Sequence, residues 1–337
     1  MAWTFTDDPV AFHAAVAALL VGDQERNTVL ISVLASLRRL GPRAFGPDAP
    51  LLGWWPSAAS APRAAAMQTP PHPMLVTGLP GGSAGELAAA LAARGSALSA
   101  VNGAEADALA LIAVWANLTG QDYHIHQRQR LHRLGTLAPP DPSPPGAPRV
   151  AVATDGEVAR AFFAAFAEEV DQPAPGEQVV ADRVAGGQLV LWEVAGQAMS
   201  IAGVNAPDAG ASAPAAAARM PDQAKGAAWA GSVARVGPVY TPPGQRGRGF
   251  GGAVTSAATQ LAIERGAASV ILFTDLANPV SNALYRRLGY VPVEDRVVVQ
   301  LTGEGVAASA ASGSDTGHAE ALLRLCHNPT PRPSMCR

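Results

Sequence analysis

Lysine is almost missing from this chain. Among 337 residues Lys225 is the only one, and the other basic residues are arginine or histidine. Biased base composition explains that better than an arginine-specific role. Charged residues make up 15%, below the usual share of about a quarter. The formal net charge of −3 gives no general pull toward nucleic acid or an anionic membrane, so neither is expected as a partner. Cysteine is scarce too. Cys326 and Cys336, both near the C-terminus, make no disulfide framework and no zinc-ligand spacing, so no metal is expected. Long apolar runs are absent; Ala14 to Val21 is too short to span a bilayer. The opening Met1-Ala-Trp-Thr-Phe-Thr-Asp-Asp lacks the basic start of a signal peptide, and a cytoplasmic location is expected.

What is present is a large apolar content, 48% over 337 residues, enough for two cores. The clearest boundary is Pro139-Pro-Asp-Pro-Ser-Pro-Pro-Gly-Ala-Pro148, whose prolines favour an extended spacer. It sets off domains at 1–138 and 149–302, and residues 303–337 read as a disordered Gly/Ala/Ser-rich and then Pro/Arg-rich tail, with possible helix at His318 to Leu325.

The most informative stretch runs from Val236 to Tyr290. It reads as strand, glycine-rich turn, helix, strand, turn and short helix. A glycine-rich turn that opens a helix leaves N–H groups aimed one way and adds the positive end of the helix dipole, which makes an anion site. Gly247, Gly249 and Gly252 fit the spacing of a dinucleotide fold, with Asp275 ending the next strand where a ribose-binding acid belongs. Against that, Thr241-Pro-Pro-Gly-Gln-Arg246 separates strand from glycines, and its prolines stop strand pairing before the turn. The other spacing, Arg246-x-x-Gly249-x-Gly251, leaves no residue idle. Amides cradle a pyrophosphate, arginines add charge, and small residues let backbone approach ligand.

Here the chain resembles the GNAT superfamily of acyl-CoA-dependent N-acetyltransferases. Arg246-Gly-Arg-Gly-Phe-Gly251 looks like that family's pyrophosphate loop, and Asn278-Pro-Val-Ser-Asn-Ala-Leu-Tyr-Arg-Arg-Leu-Gly-Tyr290 like its second motif. The resemblance covers about residues 149–302 and implies an α/β (α+β) fold, a mixed twisted sheet flanked by helices. It implies acetyl-CoA as cosubstrate, with Arg246, Gly247, Arg248, Gly249, Phe250 and Gly251 on its phosphates and Asn278 and Asn282 as further contacts. Tyr240 and Thr241 would pair with the pantetheine arm like an added strand. Asn278 has a competing role as a helix cap ahead of Pro279.

The implied chemistry is attack of an amine on a thioester carbonyl. Freeing a lysine-like amine of pKa ~10.4 at pH 7 costs roughly 4.6 kcal/mol, whereas a thiol of pKa near 8.5 already leaves fairly well. By resemblance Tyr285 is the general acid near the sulfur; a core tyrosine between Leu284 and Leu288 is the structural alternative. Glu193, inside a predicted strand, and Asp275, at a strand end, are the candidate bases, each also readable as a satisfied carboxylate, with a water chain as the remaining option. Pro238 cannot donate, so Val239 N–H is the expected oxyanion donor at a strand splay marked by Gly237-Pro238. A non-catalytic acyl-CoA sensor has the same phosphate loop and remains the alternative function. The acceptor and the oligomeric state are not written in the sequence.

The first half parallels the second. Helices are expected over 9–40, at Glu86–Arg94 with Ser83 as cap, and at Glu105–Asn117. Strands are expected at Leu51–Trp55, Ala64–Gln68, Leu75–Thr77, Ala97–Val101 and Asp122–Leu137, with a turn at Asn102-Gly103. Thr69-Pro-Pro71 is matched to Thr241-Pro-Pro243, Asn102 to Asn278 and Gly120 roughly to Gly289, whereas Tyr285 has no equivalent tyrosine and Trp115 lies near that place. Residues 1–138 therefore read as a degenerate acetyltransferase-like copy without the Arg-x-x-Gly-x-Gly loop. Asp155 is expected to cap a helix carrying Phe162, Phe163 and Phe166, with strands at Gln188–Val194, Ala198–Ala202 and Trp229–Tyr240. The alanine, proline and glycine of 206–226 read as a mobile insertion. His124 and His126 share a strand face without a third ligand, and Trp54 and Trp55 suit either an acceptor pocket or a core.

Overall fold

A computed structural model describes residues 2–56, 61–170, 174–205 and 232–302. The predicted insertion at 206–226, the start of the strand predicted from Trp229, and the predicted tail at 303–337 with its helix and both cysteines lie outside the described residues. The chain forms two compact units: one runs to Gln129 and takes in the segment from Glu294, the other is Arg130–Val293.

In the first half of the chain the elements are β1 (Thr4–Thr6), α1 (Pro9–Gly22), α2 (Thr28–Leu40), β2 (Leu51–Trp55), β3 (Ala64–Gln68), β4 (Met74–Thr77), α3 (Ser83–Ala93), β5 (Ala100–Ala104), α4 (Glu105–Thr119) and β6 (Asp122–Leu134). In the second half they are β7 (Ala147–Val150), α5 (Gly156–Glu169), α6 (Glu177–Ala185), β8 (Leu189–Val194), β9 (Gln197–Asn205), β10 (Val233–Tyr240), α7 (Phe250–Glu264), β11 (Ser269–Asp275), α8 (Pro279–Arg287) and β12 (Tyr290–Thr302). The succession of strands and helices is the same in both halves. Strand order runs β1-β2-β3-β4-β5-β12 in the first unit and β7-β8-β9-β10-β11-β6 in the second, so the last strand of each half of the chain lies beside a strand of the other half. Strand directions are mixed in both units: β4 and β5 run parallel, as do β10 and β11, while the pairs from β1 to β4 and from β7 to β10 are antiparallel.

Local chemistry explains the elements. Asp8 accepts the Val10 N–H at 2.8 Å and Pro9 takes the first helical position, which starts α1. Phe12, Val16 and Leu20, spaced by one turn, are its buried face. In the second unit, alternation along β8 feeds two cores. Val190 and Trp192 join α7 and α8 residues such as Val254, Ala258 and Tyr285, whereas Leu189 and Leu191 join Phe163, Phe166 and Val180 of α5 and α6. Trp55 is buried in the first unit's core and donates to Glu86 at 2.8 Å, and Trp54 lies 6.4 Å from the Phe12 ring. His124 and His126 are exposed on β6.

Several sequence expectations are corrected. Asn102-Gly103 is no turn: both residues lie in β5, opposite Val298 and Val297. Glycine is required there by close approach, because a Cβ at 103 would lie 2.7 Å from Val76 Cγ2 and 3.0 Å from the Val76 carbonyl oxygen. Ser83 is the first residue of α3 rather than its cap; its hydroxyl donates to the Pro80 carbonyl at 2.7 Å, and Gly82 stands at the cap. Thr69-Pro-Pro71 joins β3 to β4, so the counterpart of Thr241-Pro-Pro243, which follows β10, is instead the segment after Thr77. Asn102 likewise does not correspond to Asn278, which follows β11. Asp155 precedes α5 but does not bond its first turn; it accepts from Val152 N–H at 2.8 Å and from Arg149 at 2.6 and 2.8 Å. Ala147 and Pro148, expected in the spacer, already belong to β7.

Candidate active site

Strand β10 breaks in two ways at once. Its pairing with β9 shifts register between Val236, opposite Val204, and Val239, opposite Ala202. Two residues, Gly237 and Pro238, thus face Gly203 alone, which is a bulge. Its parallel pairing with β11 covers only Val233–Arg235 against Ser269–Ile271, although β11 continues to Asp275. From Val236 onward the two strands part. Val239 and Tyr240 lie in this splayed section; Tyr240 is buried against Phe162, and burial, with Glu169 adding to it, pushes its hydroxyl up.

After Tyr240 the chain passes Thr241 and one 3-10 turn, Pro243–Gln245, before reaching α7. Gly249 stands at the cap with φ +86°, a left-handed conformation costly for any residue with a Cβ, and no side chain caps the helix. The N–H groups of Phe250, Gly251 and Gly252 therefore have no carbonyl one turn back. The Phe250 carbonyl accepts from Ser200 at 3.1 Å, which ties this helix start to β9. A Cβ at Gly251 would lie 3.3 Å from Thr241 Oγ1. Both loop arginines are already engaged: Arg246 donates to the Thr241 carbonyl at 2.9 Å and pairs with Glu169, and Arg248 donates to Gln245 at 2.6 Å. Their charge is present, but Glu169 offsets part of it.

Helix α8 carries the second motif. Asn278 caps it by accepting from Ser281 N–H at 3.0 Å, with Pro279 at the first position. Asn282 donates to the Asp275 and Asn278 carbonyls at 2.8 and 2.7 Å. Its Oδ1 accepts from the Thr274 hydroxyl at 2.6 Å, and Thr274 Oγ1 lies 3.1 Å from His132 Nε2. Because the single Thr274 proton goes to Asn282, His132 must present an Nε2–H to Thr274. Tyr285 is buried, 4% exposed, and its ring meets Tyr290 edge-on at 6.2 Å. Burial pushes the Tyr290 hydroxyl up, while Thr259, 2.6 Å away, counteracts part of that.

The predicted site residues thus fall into groups. Val239, Phe250 and Tyr285 belong to or pack against one core, and Leu284 Cδ1 would lie 3.0 Å from a Cβ at Gly252 in the first turn of α7. The splay, the start of α7 and α8 therefore meet at one core, while Tyr240 and Arg246 turn to α5, which packs in the other. Asp275 alternates with Thr274 on β11 and uses its Oδ1 to accept Ala277 N–H at 2.7 Å. Glu193 is bound to Arg149 at the β7 side of the sheet, in a cluster with Asp155. His132, Thr274, Ser200 and Glu169 were not anticipated from sequence. His132 is the instructive case, because its burial depends on β6 lying beside β11, and nothing in the local pattern of β6 reports that.

Comparison with known proteins gives a consistent result. Residues 154–290 match the family model described as Acetyltransferase (GNAT) family. Among solved structures, the chain is similar to a GNAT-family acetyltransferase from Colwellia psychrerythraea (12% identity, 90% of this chain and 100% of that one, TM-score 0.52). It is similar to a GCN5-related N-acetyltransferase from Sphaerobacter thermophilus (16% identity, 92% and 98%, TM-score 0.55). A Drosophila protein gives 12% identity over 89% and 98%, with TM-score 0.56. At these identities the likeness is one of fold. No curated protein matches the sequence.

Proposed function

We propose that this chain, whose residues 154–290 belong to the acetyltransferase (GNAT) family, moves an acetyl group from acetyl-CoA to a primary amine by direct attack on the thioester. The observation that carries the reading is the coincidence of two open backbone features that pack against one core: the bulged, splayed end of β10 and the uncapped start of α7.

In this reading the diphosphate of CoA lies against the N–H groups from Gly247 to Gly252, where unpaired donors and the helix dipole favour an anion. Arg246 and Arg248 supply charge with donors left over from their present bonds. The pantetheine arm follows Tyr240 and Thr241 along the splay, and Asn278 and Asn282 shape the adjoining wall. The amine nitrogen attacks the thioester carbonyl, whose oxygen takes the Val239 N–H as negative charge develops. The C–S bond breaks, the sulfur takes the Tyr285 hydroxyl proton, and solvent returns a proton to Tyr285. The attacking nitrogen must also lose a proton. Both candidate carboxylates already serve the fold, Glu193 with Arg149 and Asp275 with Ala277 N–H, so proton removal is assigned to water.

The test is thiol release from acetyl-CoA against a panel of amines, with Glu193→Gln and Asp275→Asn alongside. Release that needs an acceptor, and survives both substitutions within a few fold, supports the reading. A loss of ~100-fold in either variant would restore that carboxylate as base. The ion pair at Glu193 equally suits a sensor that binds acyl-CoA without chemistry; tight CoA binding with no thiol release for any acceptor would establish that alternative.

A further inference from the structure

The bulge in β10 creates a demand that the strand cannot meet. An inserted residue takes its carbonyl out of the ladder, and a buried carbonyl needs a donor. Pro238 brings no N–H. The donor comes from α6: Arg183 Nη2 lies 3.2 Å from the Gly237 carbonyl oxygen and donates to Asn205 Oδ1 at 2.6 Å. Arg183 is 4% exposed, and its guanidinium lies 5.5 Å from the Phe163 ring centroid. It reaches the bulge across Gly203, the residue that faces it. A Cβ at 203 would lie 2.6 Å from Arg183 Nη2 and 2.7 Å from the Gly237 oxygen. The glycine and the arginine fit each other.

We propose that Arg183 is a positioning residue for acyl transfer: by holding the Gly237 carbonyl it fixes the peptide path through Pro238 and so the direction of the Val239 N–H. Arg183 itself touches neither the thioester nor the acceptor. The inference rests on the reading of Val239 as oxyanion donor, and it accounts for a buried guanidinium that the phosphate loop does not use.

The experiment compares full-length wild type with Arg183→Met, Arg183→Ala and Gly203→Ala. It measures melting temperature, CoA affinity, kcat and KM, and Val239 amide exchange. The expected result is a ~10–100-fold fall in kcat, smaller than the ~100–1,000-fold effect of deleting an oxyanion donor outright. CoA affinity should stay within about twofold, because the phosphate loop is untouched, and added guanidinium ion should restore part of the Arg183→Ala rate. Gly203→Ala should reproduce the defect with Arg183 still present, and guanidinium ion should not rescue it. Unchanged kcat in folded variants, or a fall that only follows the folded fraction, would overturn the proposal. Failure of all three variants to fold would assign Arg183 to stability alone and overturn it too. A wild type that acetylates no amine would sink the functional reading instead; Val239 exchange, expected to speed up in Gly203→Ala, would still test the geometry, and unaltered exchange would contradict it.

Discussion

The two units enter their central helices by the same backbone device and differ in the turn ahead of it and in the strands beside it. Gly82 before α3 has φ +85°, Gly249 before α7 has φ +86°, and neither helix has a side-chain cap. The turn ahead of Gly82 is Gly78-Leu-Pro-Gly81, without an arginine, whereas the turn ahead of Gly249 carries Arg246 and Arg248. The strands diverge more sharply. β4 pairs with β3 through Thr77, Val76 and Leu75 without a shift, and β5 closes on Val76 through Gly103. β10 bulges against β9 and parts from β11 after Arg235. A left-handed glycine at a helix start is thus a way to turn a corner; it becomes a candidate cofactor site only where the neighbouring strands leave a gap.

The largest effect should separate the two turns. Gly249→Glu places a side chain in a left-handed position and a negative charge among the donors, and should abolish CoA binding. Gly82→Glu, equally strained, should leave CoA affinity unchanged. Calorimetric titration of both variants checks this, and loss of binding in Gly82→Glu would break the comparison. Next, the helices that follow β11 and β5 carry Tyr285 and Trp115, each 4% exposed. Tyr285→Phe should lower kcat by about 100-fold, the lower end for a lost general acid. Trp115→Phe, which loses the bond from Trp115 Nε1 to Gln121 at 2.9 Å, should change melting temperature and not turnover. A kcat within twofold of wild type for Tyr285→Phe would return that residue to the core.

Much of this contrast was legible in the sequence, and the reasons are local. The glycine-rich loop, the Asn278-Pro279 helix start and the Gly237-Pro238 irregularity follow from residues whose backbone preferences are strong. The succession of helices followed from periodicity. Nonlocal packing was not legible. Gly103 reads as a turn next to Asn102 until β4 is seen against it. Thr69-Pro-Pro71 matches Thr241-Pro-Pro243 in letters and sits one strand too early. His132 and Arg183 are ordinary polar residues of a strand and a helix until β11 and β10 supply the groups they bind.

Two smaller effects sharpen the comparison. Gly103→Ala forces a Cβ to 2.7 Å from Val76 Cγ2 and should destabilise the first unit by about 1–3 kcal/mol, read from denaturant unfolding, with CoA affinity unchanged. Weakened CoA binding there would mean that the closed strands matter to the site. The smallest effect concerns the carboxylates ahead of the first helices, Asp8 and Asp155. Hydrogen bonds from Arg149 hold Asp155 below the usual carboxylate range despite opposing desolvation. Its contribution should therefore be complete above the unfolded pKa of about 3.9 and lost as pH falls through the lower folded value. Asp155→Asn should cost about 1 kcal/mol at neutral pH, after allowance for a partly exposed Arg149, and should flatten the acid limb of the stability profile. An unchanged acid limb would show that the pair adds nothing measurable.

The most direct measurement is a crystal structure of the full chain with CoA. The account predicts one CoA, its diphosphate against the N–H groups between Gly247 and Gly252 and its pantetheine arm beside Tyr240. A diphosphate seated on the Gly78–Gly82 turn, or a crevice beside β10 left vacant at saturating CoA, would contradict it.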